Sequence, residues 1–237
     1  MCGRFTLNLA ELADLKLPLG LDYVEITEWA PRYNIAPTQL APVVVQNGSR
    51  VLRALRWGLV PHWAKDPSIG NRMINARVES IAAKPAFRDA FRRHRCVVPA
   101  TGYYEWQPVP GEKRKQPHWF HPERDELLSM AGLWDRWRAP DGQLLESFTV
   151  VTTAANDLVA PIHDRMPLTL PREDREAWLR ADALSESDLA AMTSRARDLQ
   201  LAAYPVDRRV SSAGVDDPSC IAPANPEPPA GQLGLFD

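Results

Sequence analysis

Two apolar, β-branched runs, APVVVQ at 41–46 and RVLRALRWGLV at 50–60, are separated by little more than Asn47-Gly48. Asn-Gly between such runs is the strongest short-range signal of a chain turning back on itself, because the tight turn needs backbone angles that glycine adopts freely. An antiparallel pair must bury a face, so more sheet has to lie close by. RCVVPATGYYEWQ, PHWFHP, LLSMAGLWDRW and SFTVVTTAA are four further β-rich runs, set apart by a charged Gly/Pro loop at 108–117 and by Ala139-Pro140-Asp141-Gly142. An extended sheet or barrel is implied. CGRFTL reads as a short opening strand. Asn8 then reads as the N-cap of an amphipathic helix, LAELADLKL, stopped at Pro18 and Gly20. RYNIAPTQ reads as a loop around Pro31 and Pro37, and MINARVESIAAKPAFRDAFRRHR passes from extended to helical with Asn75 and Arg77 at the junction. Asn156-Asp157 should open a short helix up to Pro161, and His163 to Pro167 a loop. PREDREAWLR, with Pro171 at the first helical position, and SESDLAAMTSRA should be helices. The expected fold is one α+β domain over 1–220, a β-rich sheet or barrel with flanking helices. A Pro-rich, disordered tail should follow at 221–237.

The chain has 237 residues, 45% hydrophobic and 24% charged, which suits one sizeable soluble core. No window approaches the ~18 apolar residues of a membrane span, and the first residues lack a secretory pattern, so a cytoplasmic protein without membrane contact is expected. Cys2, Cys96 and Cys220 are odd in number and have no Cys-x-x-Cys spacing, and the five histidines make no His-x-x-x-His pair. Neither a disulfide framework nor a metal site follows, and no cofactor is assigned. The net charge of −2 hides an excess at 50–95, where eleven Lys and Arg meet three Asp and Glu. Trp57, Trp63, Phe87 and Phe91 interleave with these cations, the pattern of a surface that tracks phosphates and stacks single-stranded bases. The competing reading is a solvated basic helix face over core aromatics.

Cys2 becomes the amino terminus once Met1 is removed, which gives one residue two nucleophiles. A free α-amine titrates near ~8 and a thiol near ~8.5, so a modest electrostatic push leaves both partly deprotonated at neutral pH. An aldehyde is the natural target: the amine condenses to an imine, and the thiol closes a five-membered thiazolidine on the same carbon. The alternative is a small buried cysteine opening a strand.

MCGRF, RYNIAPTQ, WGLVPHWA, INARVES, RCVVPATGYYEW, AGLWDRW, FTVVTTAAN and HDRMP together span residues 1 to about 220, and in this order they resemble the SRAP family, the SOS-response-associated, peptidase-like proteins. The resemblance implies recognition of abasic sites in single-stranded DNA and a covalent thiazolidine between Cys2 and the ring-opened sugar, in a monomer acting in the DNA-damage response. Opening the sugar and losing water on imine formation demand acid–base groups near Cys2. Glu105, in an apolar run, suits a proton shuttle, or else pairs with an arginine in a strand. His163 suits proton donation to the sugar oxygen, or else is structural. Asn75 could hold the sugar or the amine, or cap a turn. Arg4 and Arg77 suit flanking phosphates, or else bind internal carboxylates, and Trp63 and Trp106 suit base stacking, or else the core. In the tail, Gln232, Leu233, Leu235 and Phe236 resemble the QLxLF peptide that docks on the bacterial sliding clamp. Two other functions compete: an N-terminal-cysteine peptidase that removes Met1 itself, and a noncatalytic single-strand-binding or clamp-adaptor module.

Overall fold

The structure, a computed structural model, describes residues 2–124, 127–180 and 184–224. Its strands are β1 (Phe5–Leu7), β2 (Tyr23–Val24), β3 (Arg32–Ile35), β4 (Leu40–Asn47), β5 (Ser49–Trp57), β6 (Asn75–Arg77), β7 (Arg95–Ala100), β8 (Gly102–Gln107), β9 (Gln116–Pro122), β10 (Leu128–Arg138), β11 (Leu144–Ala154), β12 (Arg165–Pro167) and β13 (Leu201–Pro205). Its α-helices are α1 (Lys16–Leu19), α2 (Arg88–Arg93), α3 (Arg172–Leu179) and α4 (Glu186–Arg197). The hairpin read from Asn47-Gly48 is β4–β5, and the chain reverses on Gly48 alone, at φ 76°, with Asn47 opposite Ser49.

This hairpin is the start of a barrel. From β5 the order runs antiparallel through β4, β7, β10 and β11, and β11 returns to pair parallel with β5 at Ser147↔Arg56 and Phe148↔Trp57. Closure removes the open edges that a five-stranded sheet would otherwise present. β6 runs parallel to β11, and β12 and β2 extend the same hydrogen-bonded network. A second sheet, ordered β13-β9-β8-β1-β3, lies beside it. The architecture is a single α+β domain built on a five-stranded mixed barrel, a second sheet and a few helices.

RCVVPATGYYEWQ, which reads as one run, divides at Thr101: β7 belongs to the barrel and β8 to the second sheet. Gly102 makes the crossing feasible, since a Cβ there would sit 2.4 Å from Trp119 Nε1 and 2.7 Å from the Phe120 carbonyl oxygen. The two sheets meet through aromatic rings. Phe5 of β1 packs edge-on against Trp57 of β5 at 5.1 Å, and Trp57 stacks on Phe148 at 6.2 Å.

Several local expectations are corrected. Asn8 caps no helix: its backbone N–H donates to Thr101 Oγ1, and a 3-10 turn at Leu12–Leu15 leads into the four-residue α1, with Leu12, Leu15 and Leu19 buried and Leu17 turned to solvent. Pro18 lies inside α1, which ends at Gly20. The RYNI of the expected loop is β3, and part of the expected 163–167 loop is β12, because each has a sheet edge to pair with. Residues 156–162 make turns rather than a helix, with the Asn156 side chain accepting from the Val159 N–H. Pro171 is the N-cap of α3 rather than its first residue, and α4 carries a capping box between Ser185 and Asp188. At the end of the described chain, the Ala224 N–H still donates to the Pro205 carbonyl. The tail peptide residues Gln232, Leu233, Leu235 and Phe236 lie outside the described residues.

Candidate active site

Cys2 is fully buried beside β1, inside the main apolar cluster. Its placement follows from the ring contacts between the sheets. Trp57, packed against Phe5, donates from Nε1 to the Ile74 carbonyl at 2.8 Å, which fixes the start of β6. The next residue, Asn75, then donates from Nδ2 to the Cys2 carbonyl at 2.7 Å. The remaining oxygen of Asn75 and the hydroxyl of Tyr103 are buried with no hydrogen-bond partner among the described residues. Native interiors rarely leave such atoms unsatisfied, and those that remain tend to mark sites for a ligand or ordered water.

The buried Cys2 thiol is pushed well above its ordinary pKa by desolvation, and the neighbouring Glu105 charge adds to this. The expectation of a partly ionised thiol at neutral pH is therefore corrected: the sulfur rests protonated. Burial acts in the same direction on Glu105, whose carboxyl is raised to about 7. It stands in β8 at 2% exposure, two residues from the Tyr103–Phe5 register that joins β8 to β1. A carboxyl with this pKa gives and takes protons with equal ease at neutral pH. Burial also lowers His163 below its ordinary value, outweighing the Asp164 carboxylate, so its ring is neutral at pH 7. The Arg165 N–H donates to His163 Nδ1 at 3.0 Å, and Asp164 Oδ1 lies 2.9 Å from the same nitrogen.

Glu105, Trp106, His163 and Arg4 line one cleft of about 920 Å³, together with Gly3, the residue after Cys2. The structure thus gathers four of the eight expected site residues at one opening; Cys2, bonded by Asn75, is buried next to Gly3 and does not itself line it. Arg77 follows Asn75 by two positions and is exposed at the end of β6. Trp63 is 48% exposed in the loop after β5, outside the lining of this cleft; the preceding residue anchors that loop by donating its N–H to Asp135 Oδ2. Trp106 faces the cleft while its Nε1 donates to Ser211 Oγ at 3.1 Å.

Arg4 is committed internally. Its Nη1 donates to Asn34 Oδ1 at 2.8 Å and to the Val210 carbonyl at 2.6 Å, and its Nη2 donates to the Ser211 carbonyl at 3.0 Å. In the basic run at 50–95, Lys65, Arg72, Arg77, Lys84, Arg88, Arg92 and Arg93 are exposed, and three other arginines are held internally. Arg50 pairs in fork fashion with Glu176, Arg53 bonds Glu25 and Glu146, and Arg95 donates to the carbonyls of Trp178, Phe91 and Arg180. Trp57, Phe87 and Phe91 are core residues, which leaves Trp63 as the exposed aromatic of that run.

Sequence reasoning missed Tyr103, Pro37, Arg114, Lys115, Arg208 and Arg209, of which all but Tyr103 line the cleft. The signal for the cations was present in the Lys113-Arg114-Lys115 and Arg208-Arg209 clusters. Nothing in the one-dimensional pattern ties residue 115 or 208 to residue 2.

The model of the family described as SOS response associated peptidase (SRAP) matches residues 1–213. The abasic site processing protein YoqW of Bacillus subtilis (strain 168) is 37% identical over 223 residues, covering 93% of this chain and 99% of its own. The abasic site processing protein HMCES of Rattus norvegicus is 28% identical, covering 95% and 76%. Among solved structures, a protein from Bacteroides thetaiotaomicron superimposes with a TM-score of 0.81 at 25% identity, over 94% of this chain and all of that one.

Proposed function

The chain belongs to the SRAP family, and from that premise we propose that it is an abasic site processing protein that captures the lesion in single-stranded DNA as a thiazolidine on Cys2. The observation that carries the reading is one arrangement: a buried carboxyl with a pKa of about 7, close enough to act on the Cys2 thiol, shares a cationic cleft with His163 and with Gly3, the neighbour of a Cys2 held by Asn75.

The chemistry then runs in balanced steps. His163 assists proton transfer to the ring oxygen as the hemiacetal opens to an aldehyde. With Met1 removed, the Cys2 amine adds to the aldehyde carbon. Protonation of the resulting hydroxyl by Glu105 releases water and leaves an iminium. The Cys2 sulfur adds to the same carbon, and the thiol proton passes to the Glu105 carboxylate. The product weighs protein plus DNA less one water. A protonated resting thiol favours this order, amine first and sulfur second, over the attack by a resting thiolate that a cysteine peptidase uses. Asn75, through its free oxygen, and the Tyr103 hydroxyl supply polar partners for the amine or the sugar hydroxyls. Arg77 and Trp63, both exposed, serve the flanking phosphates and bases, and Trp106 closes the wall against the sugar. The C-terminal Gln232-Leu233-Gly234-Leu235-Phe236 brings the protein, as a monomer, to the sliding clamp.

Purified protein lacking Met1, mixed with a single strand holding one abasic site, should give a complex that resists denaturation and has the mass stated above. Cys2→Ala should give none. Cys2→Ser retains an amine that borohydride can trap as a reduced imine, but it forms no stable adduct without reductant. Absence of any adduct from the parental protein would sink the reading.

A further inference from the structure

The cleft is far more cationic than the family motifs require. Arg4, Arg114, Lys115, Arg208 and Arg209 line it, with Glu105 its one acidic lining residue. Four of these cations come from two segments that lie outside every motif quoted above: the loop between β8 and β9, and the 3-10 turn at Arg208–Ser211. The two segments are joined across the rim, where an Arg208 guanidinium donates to Glu112 Oε2. The turn is itself fixed from beneath. Arg4 holds the carbonyls of Val210 and Ser211, and Asn34 Nδ2 donates to those of Val210, Ser212 and Val215. This network takes up three of the five donors of Arg4, and the residue acts on a ligand chiefly through the turn that it positions.

Glu112 offsets Arg208, and Asp207 lies 3.3 Å from Arg209 Nε. Arg114 and Lys115 are exposed and enter no ion pair among the described residues. Clustered cations beside the ring of Trp106 present charge and a flat apolar face together, the combination that tracks a single-stranded backbone.

We propose that the β8–β9 loop and the 208–212 turn form a phosphate-binding wall, in which Arg114, Lys115 and Arg209 grip backbone phosphates of the strand beside the lesion and Arg4 is the positioning residue that holds the wall in place. The proposal rests on the reading of this cleft as an abasic-site pocket. It transfers the phosphate contacts on this side from Arg4 to residues that the family motifs do not contain.

The test is the salt dependence of binding to labelled single strands, with and without one abasic site, for the parental protein, Arg114→Gln/Lys115→Gln, Arg209→Gln and Arg197→Gln. Each lost phosphate contact lowers the slope of log affinity against log salt by about 0.7 on single strands. The double variant should therefore lose roughly 1.4 in slope and Arg209→Gln roughly 0.7. Affinity should fall alike on both strands, because phosphate contacts do not report the missing base. Arg197, which lines a separate opening with Asn156 and Asp157, controls for net charge, and its variant should keep the parental slope. Parental slopes in both wall variants would overturn the wall. A salt-steep parental protein that binds both strands and never forms an adduct would instead overturn the capture chemistry and leave the wall standing.

Discussion

Glu105 is where stability and chemistry pull against each other. Its pKa, about 7 in the folded protein against 4.5 as the reference value, means that the fold binds its proton more tightly than the unfolded chain does. The stabilisation is complete below pH ~4.5 and is lost as pH rises through the folded value, an effect of about 3 kcal/mol by pH 8. Glu105→Gln should therefore unfold at higher urea than the parental protein at pH 8 and show no such gain at pH 4.5. Adduct formation should move the other way. The parental rate should change through an inflection near the Glu105 pKa, and the Gln variant should be slow with that inflection gone. A Gln variant with the parental pH profile would assign the inflection to another group. The candidate residues Arg4, Glu105, Trp106 and His163 were legible from the sequence because each sits in a short motif, whereas their meeting at one opening was not. The ionisation states were not, since burial, which the sequence does not display, holds the Cys2 thiol protonated and Glu105 near neutrality.

Two short elements carry more than their length suggests. In the turn Ala36-Pro37-Thr38-Gln39, Thr38 stands at φ 75°, a region that β-branched residues avoid. The turn is pinned on both sides: the Thr38 N–H donates to the Trp57 carbonyl, and Gln39 Oε1 accepts from Arg32 Nη2 and the Ala36 N–H. Pro37 is thereby set into the cleft wall. Thr38→Gly should raise unfolding stability by about 1 kcal/mol, the released strain exceeding the added chain entropy; a lower urea midpoint would show that the threonine side chain contributes contacts of its own. Gly102→Ala should do the reverse and cost at least ~2 kcal/mol, because the new methyl meets the Trp119 ring and a backbone carbonyl. Crystallographic or exchange data that place the strain at the β7–β8 junction would confirm the cause. The strands around these elements were readable from alternation and turn residues. The short β3 and β12 were not, because their extended form is imposed by partners far away in the chain.

At the scale of the molecule, barrel closure is the feature a sequence conceals most completely. β5 and β11 pair across some ninety residues through two registered positions, and no local signal predicts the contact. The expected sheet or barrel followed from the number of strands, whereas the division into a closed barrel and a second sheet follows from the break at Thr101. The tail makes a separate prediction: Leu235→Ala/Phe236→Ala should abolish retention on an immobilised sliding clamp, and unchanged retention would remove the docking role of QLGLF. The Arg4 bonds to Val210 and Ser211 have a last consequence, one of timing. Cys2 is among the first residues to leave the ribosome, yet the segment that Arg4 braces is among the last of the domain. At bacterial synthesis rates roughly 10–40 s separate the two. Throughout that interval the nascent amino terminus carries its amine and thiol without a pocket, open to methionine removal and to any small aldehyde in the cell. The completed fold then buries Cys2, so the terminus is most open before the domain is finished.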